Sequence, residues 1–206
     1  MKVLMINGSP NENGCTFTAL SEVAKVLNEN GIGSEIVHVG NKNIRGCTGC
    51  RACGRIKKCV FDDMVNETAA AFAESDGLVV GSPVYYASPN GSILSFLDRL
   101  FFSTSFDKTM KAAASIVSAR RAGCVAAFDV LNKYFTISSM PVVSSQYWNM
   151  VHGHTPDDVR RYEEGMQTMR VLGRNMAFPI KSIALGREQF GLPDKESLRI
   201  FTNFIH

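Results

Sequence analysis

The sequence has one Trp, four His, seven Pro and a formal net charge of only +3 over 206 residues. Each scarcity excludes something. So small a charge does not argue for nucleic acid, whose partners concentrate a strong basic excess on one face. No run approaches the roughly 18 apolar residues of a membrane helix, so no membrane partner is expected. Met1-Lys2-Val3-Leu4-Met5-Ile6 meets Asn7-Gly8 before it could form the apolar region of a secretory leader, and it lacks a cleavage site. The chain therefore reads as cytoplasmic. No internal repeat, low-complexity stretch or linker is visible, so one domain over residues 1–206 is expected. G-x-G-x-x-G is absent, and no Lys follows Gly14 as a P-loop requires. No acid–base dyad or activated nucleophile is evident either. Apolar residues at 45% and charged residues at 20% are near globular averages, which excludes disorder.

What the chain does have is cysteine. There are six, and four fall within thirteen residues: Cys47, Cys50, Cys53 and Cys59. Cys15 and Cys124 stand alone. A secreted disulfide scaffold spreads its Cys through a short chain. Clustered thiols in a reducing compartment point instead to metal or redox chemistry.

Strand and helix signals alternate along the chain. Residues 2–6 predict a buried strand, and Glu35 to Val39 and Gly77 to Gly81 predict two more. Ala114 to Ser118 predicts a fourth strand, and Pro141 to Ser145 a short fifth. A helix is expected from Cys15 or Thr16 to the Asn30-Gly31 stop. Asp62 or Asp63 can cap the next one, with Val65, Ala69, Phe72 and Ala73 buried. Ile93, Leu94, Leu97, Leu100 and Phe101 mark a third, and residues 122–138 a fourth. Thr155-Pro156-Asp157-Asp158 starts a last helix running to about Ala177, with Val159, Tyr162, Met166, Met169 and Met176 as a packing or subunit stripe. The tail from Phe178 shows no period, and is expected to wrap the body or a partner subunit. This alternation predicts an α/β domain: a doubly wound, five-stranded parallel sheet with helices on both faces. Ligands of such sheets bind at the carboxyl ends of the strands.

That rule selects the loops. Gly8 to Thr16 is small and polar. Its Ser9 and Thr16 hydroxyls and the free N–H groups of the helix start can hold a phosphate. A capped polar turn is the plainer reading. Ser82 to Gly91 holds Pro83, Val84, Tyr85 and Tyr86, a stiff apolar platform on which a flat heterocycle could stack. A surface turn covering a helix end is its plainer reading. Tyr147, Trp148 and His152 sit in the expected 146–154 loop, as rim or subunit contacts. His38 and His154 read as structural or exposed, and Cys124 as a small buried hydrophobe.

In the Cys47-x-x-Cys50-x-x-Cys53-x5-Cys59 loop, four thiolates can ligate one 4Fe-4S cluster. Gly46, Gly49 and Gly54 supply the backbone freedom to curl. Arg45, Arg51, Arg55, Lys57 and Lys58 make the loop basic, which favours thiolates and offsets the cluster's charge. Zinc usually takes two separated C-x-x-C knuckles. A third reading leaves the loop metal-free beside the main site.

Gly8-Ser9-Pro10-x-x-x-Gly14-x-Thr16, Gly81-Ser82-Pro83-Val84-Tyr85 and the Cys loop closing on Asp62-Asp63-Met64 together resemble the NADPH-dependent FMN reductase family. More narrowly they resemble its iron–sulfur flavoprotein branch, over about residues 1–125. The resemblance implies a flavodoxin-like fold and bound FMN. It puts the phosphate among Ser9, Asn11, Asn13, Cys15 and Thr16, and the ring against Pro83, Val84, Tyr85 and Tyr86. A third loop, Ser118-Ala119-Arg120-Arg121, then meets the pyrimidine edge. It implies NAD(P)H or a ferredoxin-like protein as donor, and a quinone, flavin, nitro compound or protein as acceptor. It also implies a homodimer or homotetramer. The family often has a basic residue where this chain has Asn11, and Asn or Ser where it has Cys15. Arg120 and Arg121 are then the candidates for neutralising the phosphate. The other classes in play are a flavodoxin-like electron carrier and a metal or redox sensor without a small-molecule substrate.

Overall fold

Val3 to Ile6, Leu78 to Val80 and Ala112 to Val117 are buried throughout. A strand apolar on both faces needs helices on both sides, and parallel crossovers supply them. The computed structural model describes residues 1–198, Ile200 and Thr202. In chain order the first elements are β1 (Lys2–Asn7), α1 (Cys15–Glu29), β2 (Gly33–His38), α2 (Cys53–Ile56) and α3 (Met64–Glu74). Then come β3 (Gly77–Tyr85), β4 (Ser88–Pro89), α4 (Gly91–Ser103), β5 (Ala112–Ala119) and α5 (Cys124–Thr136). The last are β6 (Met150–His152), α6 (Pro156–Arg161) and α7 (Glu163–Phe190). Five strands run parallel in the order β2-β1-β3-β5-β6. The short β4 folds back on the end of β3 as a hairpin. Helices α1, α6 and α7 cover one face, and α3, α4 and α5 the other. This is the expected doubly wound sheet. Strand order reverses at β1 and β3, so the crevice opens at their carboxyl ends.

The fifth strand is displaced from its expected place. Pro141 to Ser145 contributes one bridge, Ala113 to Val142, and the strand itself is Met150–His152. Eight residues separate Val142 from Met150, yet only four separate their partners Ala113 and Val117. The chain must therefore loop out between them. Ser145 Oγ ties that excursion by donating to Asn149 Oδ1 at 2.7 Å. Pro141 has no N–H, which weakens pairing where the sequence places the strand.

The expected single helix from Thr155 is two helices. Thr155 and Asp158 form a capping box at the start of α6. Tyr162 then leaves helical geometry, and its ring lies where a Cβ on Gly165 would stand, 2.4 Å away. Helix α7 runs on through Pro179 to Phe190, so residues 178–190 of the supposed aperiodic tail are helical. It stops at Gly191, whose φ is +79°. Of the expected tail, residues 199, 201 and 203–206 lie outside the described residues. Met166, Met169 and Met176 are buried against α1 in one core, which makes the stripe a packing face. No helix among the described residues is long and apolar enough to cross a membrane.

Gly173 sets how closely α1 and α7 approach, since a Cβ there would lie 2.7 Å from Val26 Cβ. Gly173→Ala should destabilise the fold by about 1–3 kcal/mol through overpacking. Denaturant unfolding checks this, with a lowered midpoint and an unchanged slope as the expected result.

Candidate functional site

The first site is a cleft of about 240 Å³ at the carboxyl edge of the sheet. Ser9, Pro10, Asn11, Cys15 and Thr16 line it from the loop between β1 and α1. Pro83, Val84 and Tyr85 come from β3, and Ser118, Ala119 and Arg120 from β5 and the residue after it. Ten of the residues expected there do meet. Asn13 and Tyr86 do not line the cleft. Asn13 sits exposed in the turn, and Tyr86 is fully exposed at the tip of the β3–β4 hairpin. Tyr86 and Ala87 both have positive φ, +50° and +59°, as this two-residue turn demands. That geometry carries the Tyr86 side chain away from the platform.

The loop from β1 is shaped by side-chain hydrogen bonds to backbone. Ser9 N donates to Asn7 Oδ1 at 3.1 Å, and Asn11 N to Ser9 Oγ at 3.2 Å. His38 Nε2, from the end of β2, lies 2.7 Å from the Ser9 carbonyl. His38 is thus structural, as expected, but its structural task is this loop. Thr16 Oγ1 and Ser118 Oγ are 2.8 Å apart, which ties the first loop to the third. Glycines permit the crowding. A Cβ on Gly40 would lie 2.1 Å from the Ser9 carbonyl oxygen.

Helix α1 opens on Gly14 with no side-chain cap and no acid in its first turn. The first N–H groups of this fifteen-residue helix therefore have no side-chain cap, and no acid stands in its first turn. This is a ready anion site at one end of the cleft. Burial pushes the Cys15 thiol pKa up, so it enters the cleft as a neutral group.

Gly153 and His154, just past β6, also line the cleft. Sequence reasoning placed His154 outside any site. The misplaced fifth strand hid it: with β6 at 150–152, the next two residues fall on the ligand-binding edge. Arg120 and His154 are the basic side chains on the cleft wall, which fits the lack of any basic residue in the first loop.

The second site is the Cys loop. All four of its cysteines line one cavity, with Phe61, Arg99, Phe102 and Ser103 among the other walls. None is in a disulfide. Cys59 is buried, Cys53 half-buried, and Cys47 and Cys50 are exposed. The curl departs from expectation. Of the three glycines only Gly49 has a positive φ, and Arg51 and Lys57 make the other left-handed turns. A short helix, α2, carries Cys53 at its start. Among the described residues, no three His, Cys, Asp or Glu side chains converge as a single metal ion would need. The thiols surround the cavity without meeting at one point.

Sequence reasoning also missed Arg99. It is buried at 1% exposure yet carries a full charge. Its Nε and Nη2 each donate to Cys59 Sγ at 3.2 Å. Nη1 and Nη2 donate to the Asp63 carboxylate at 2.7 and 2.9 Å. Burial works against its charge, but the hydrogen bonds to Asp63 and Cys59 win and raise its pKa. Its place in the apolar helix α4 disguised it. The one signal was an Arg on a helix face otherwise built of Ile93, Phe96 and Leu100.

A doubly wound sheet with an anion-ready helix start at its switch point defines a flavodoxin-like α/β protein. The family model "NADPH-dependent FMN reductase" matches residues 1–155. The chain belongs to this family of FMN-binding flavin oxidoreductases. An iron–sulfur flavoprotein of Methanocaldococcus jannaschii is 29% identical over 191 residues, covering 89% of this chain and 99% of that protein. Another, from Methanosarcina thermophila, is 24% identical over 193 residues, covering 92% and 100%. The solved NAD(P)H:quinone oxidoreductase from Methanothermobacter marburgensis superposes with a TM-score of 0.66 at 18% identity, covering 85% of this chain and 96% of that one. That last likeness shows the shared fold.

Gly40→Ala should displace the Ser9 carbonyl and weaken FMN binding at least tenfold, about 1.4 kcal/mol. Fluorescence titration of flavin-stripped protein measures this, and an unchanged circular dichroism spectrum should accompany it.

Proposed function

We propose that the protein binds FMN in the cleft and a 4Fe-4S cluster in the cysteine-lined cavity, and passes electrons between a reduced donor and an acceptor. The observation that carries the flavin placement is the uncapped start of α1, joined through Thr16 and Ser118 to the cleft wall at the end of β5. Ser9, Thr16 and the first amides of α1 hold the phosphate, and Arg120 and His154 offset its charge. Pro83, Val84 and Tyr85 exclude water from one side of the ring. Ser118 to Arg120 approach its pyrimidine edge. Bound FMN supplies the redox chemistry, accepting electrons in pairs and releasing them singly or in pairs.

Two observations support a cluster in the cavity. Its lining includes four thiols from one short segment. A buried hydroxyl on its wall, Ser103 Oγ, has no hydrogen-bond partner among the described residues. Cys47, Cys50, Cys53 and Cys59 would be the ligands, and the group would supply one-electron transfer.

NAD(P)H or a ferredoxin-like protein is the proposed donor. The acceptor is a quinone, a flavin, a nitro compound or a protein. Exposed Val60 and Phe102 line the cavity with Arg51, and exposed Ile56, Arg55, Lys57 and Lys58 belong to the same loop. An apolar centre with a basic rim fits an acidic protein partner. Tyr147 and Trp148, with ring centroids 5.0 Å apart and planes tilted at 56° on the loop before β6, are both exposed and suit a contact in a cytoplasmic homodimer or homotetramer.

Anaerobic purification with a visible spectrum and iron and sulfide assays tests the reading. Flavin with about four irons per chain is expected, and Cys47→Ala or Cys59→Ala should abolish iron and keep FMN. Iron that survives either substitution refutes the ligand set. A protein without flavin or iron refutes the whole proposal. Bleaching by NADPH or NADH identifies a nicotinamide donor, and bleaching only by a reduced protein identifies an electron-transfer partner.

A further inference from the structure

We propose that helix α4 tunes the reduction potential of the cysteine-bound cluster, with Arg99 donating to the Cys59 sulfur and Ser103 donating to a sulfur of the bound group. The inference rests on the cluster reading above and adds to it two residues outside the cysteine motif. Neither is a ligand. Both act as positioning and electrostatic residues through the sulfurs.

Arg99 cannot turn away from Cys59. Asp63 grips it through both terminal nitrogens, the Arg45 carbonyl accepts from Nη1 at 3.3 Å, and the Phe61 ring lies 5.1 Å beneath. Two N–H groups are thus aimed permanently at one ligand sulfur, at 3.2 Å each. Ser103 stands four residues later, one turn along the same helix face. It is 5% exposed and lines the same cavity, and its hydroxyl has no partner among the described residues. Buried hydroxyls in folded proteins are rarely orphaned, because each forfeits its hydration. An acceptor inside the cavity would remove the anomaly, and a cluster presents sulfurs as acceptors.

One-electron reduction adds one negative charge to the cluster and its thiolates. Donors to sulfur favour that charged state and raise the potential. Asp63 pulls the other way, because its carboxylate offsets part of the Arg99 charge. The two residues on α4 and the one at the start of α3 should therefore have opposite signs. A purely structural role for Arg99, as a tie between α4, α3 and the loop, predicts no such pattern and no effect of Ser103 at all.

The test is a redox titration of the anaerobically purified, iron-loaded full chain, read by electron paramagnetic resonance and visible absorption. At the wild-type midpoint, Arg99→Gln should lower the reduced-to-oxidised ratio of the cluster about tenfold, about 59 mV for one electron. Ser103→Ala should lower it about threefold. In cluster-free protein Ser103→Ala should raise the melting temperature, since it removes an unsatisfied buried hydroxyl. Asp63→Asn keeps a competent helix cap and should raise the ratio. Ser103→Ala and Asp63→Asn decide the matter even where Arg99→Gln does not fold. Unmoved potentials, or an Asp63→Asn shift in the same direction as Ser103→Ala, overturn the inference and leave the cluster reading standing. A wild-type protein free of iron and sulfide when made anaerobically overturns both.

Discussion

A guanidinium withdrawn from water must satisfy its N–H groups or destabilise the fold by several kcal/mol. That requirement organises the half of the molecule below the cleft. Arg99 meets it with Asp63, Cys59 and the Arg45 carbonyl. These partners sit at the start of α3 and at both ends of the long segment between β2 and α3. One side chain from α4 therefore gathers a stretch whose only helix is four residues long. Asp63 is bound twice over, because its Oδ1 also accepts from Val65 N and caps α3. Asn66 adds a second clasp, accepting from Cys59 N at 3.0 Å and donating to the Cys59 and Phe61 carbonyls at 3.1 Å. The Cys loop keeps its shape from these polar anchors, since most of its side chains face solvent.

The cleft is built by a different constraint, close backbone approach. Gly8 N donates to the Gly81 carbonyl at 2.8 Å, which joins the exits of β1 and β3. A Cβ on Gly8 would lie 2.8 Å from Ile93, and one on Gly81 would lie 2.8 Å from Thr16. The crevice at the strand-order reversal is thus tight at its floor and open at its mouth. Its electrostatics come from backbone more than from side chains. The loop carries no Lys or Arg, yet the helix behind it is uncapped and free of first-turn acids. Such a site attracts a phosphate through oriented amides, and leaves the wall residues to distinguish what is attached to it.

Much of this was legible in the sequence, and the failures have physical reasons. Buried parallel strands announce themselves as apolar runs, so four of the five were located closely. The fifth was not, because Val142-Val143 looks like a strand while Met150-Val151 follows an aromatic loop. Pairing with β5 decided it, and pairing is a long-range fact. That same error hid Gly153 and His154. The loop carrying Tyr86 was rightly placed, but a tight hairpin with two residues at positive φ turns that ring outward. Residues 178–190 looked aperiodic because most of their side chains are exposed. With no apolar stripe to detect, and with Pro179 and Gly186 inside it, the segment gave no sequence signal of a helix. Arg99 was invisible for the opposite reason, since its charge sits on a face that reads as core.

The two sites meet through α4. The helix begins at Asn90, whose backbone N–H donates to Ser82 Oγ at 3.0 Å, one residue before the cleft platform starts at Pro83. Arg99 lies eight residues into the helix from Gly91, roughly 12 Å along its axis. A packed helix holds that spacing fixed, which a loop would not. The tethers of the Cys loop, by contrast, are Arg99, Asn66 and Phe102, all on α3 and α4. The loop can therefore be altered locally while the cleft keeps its own ties through Thr16, Ser118 and His38. Rigid spacing with separate anchoring would let the flavin and the proposed cluster each be tuned without disturbing the other. It locates the adjustable part of the molecule in the walls of the cavity, and leaves the sheet edge as the constant part.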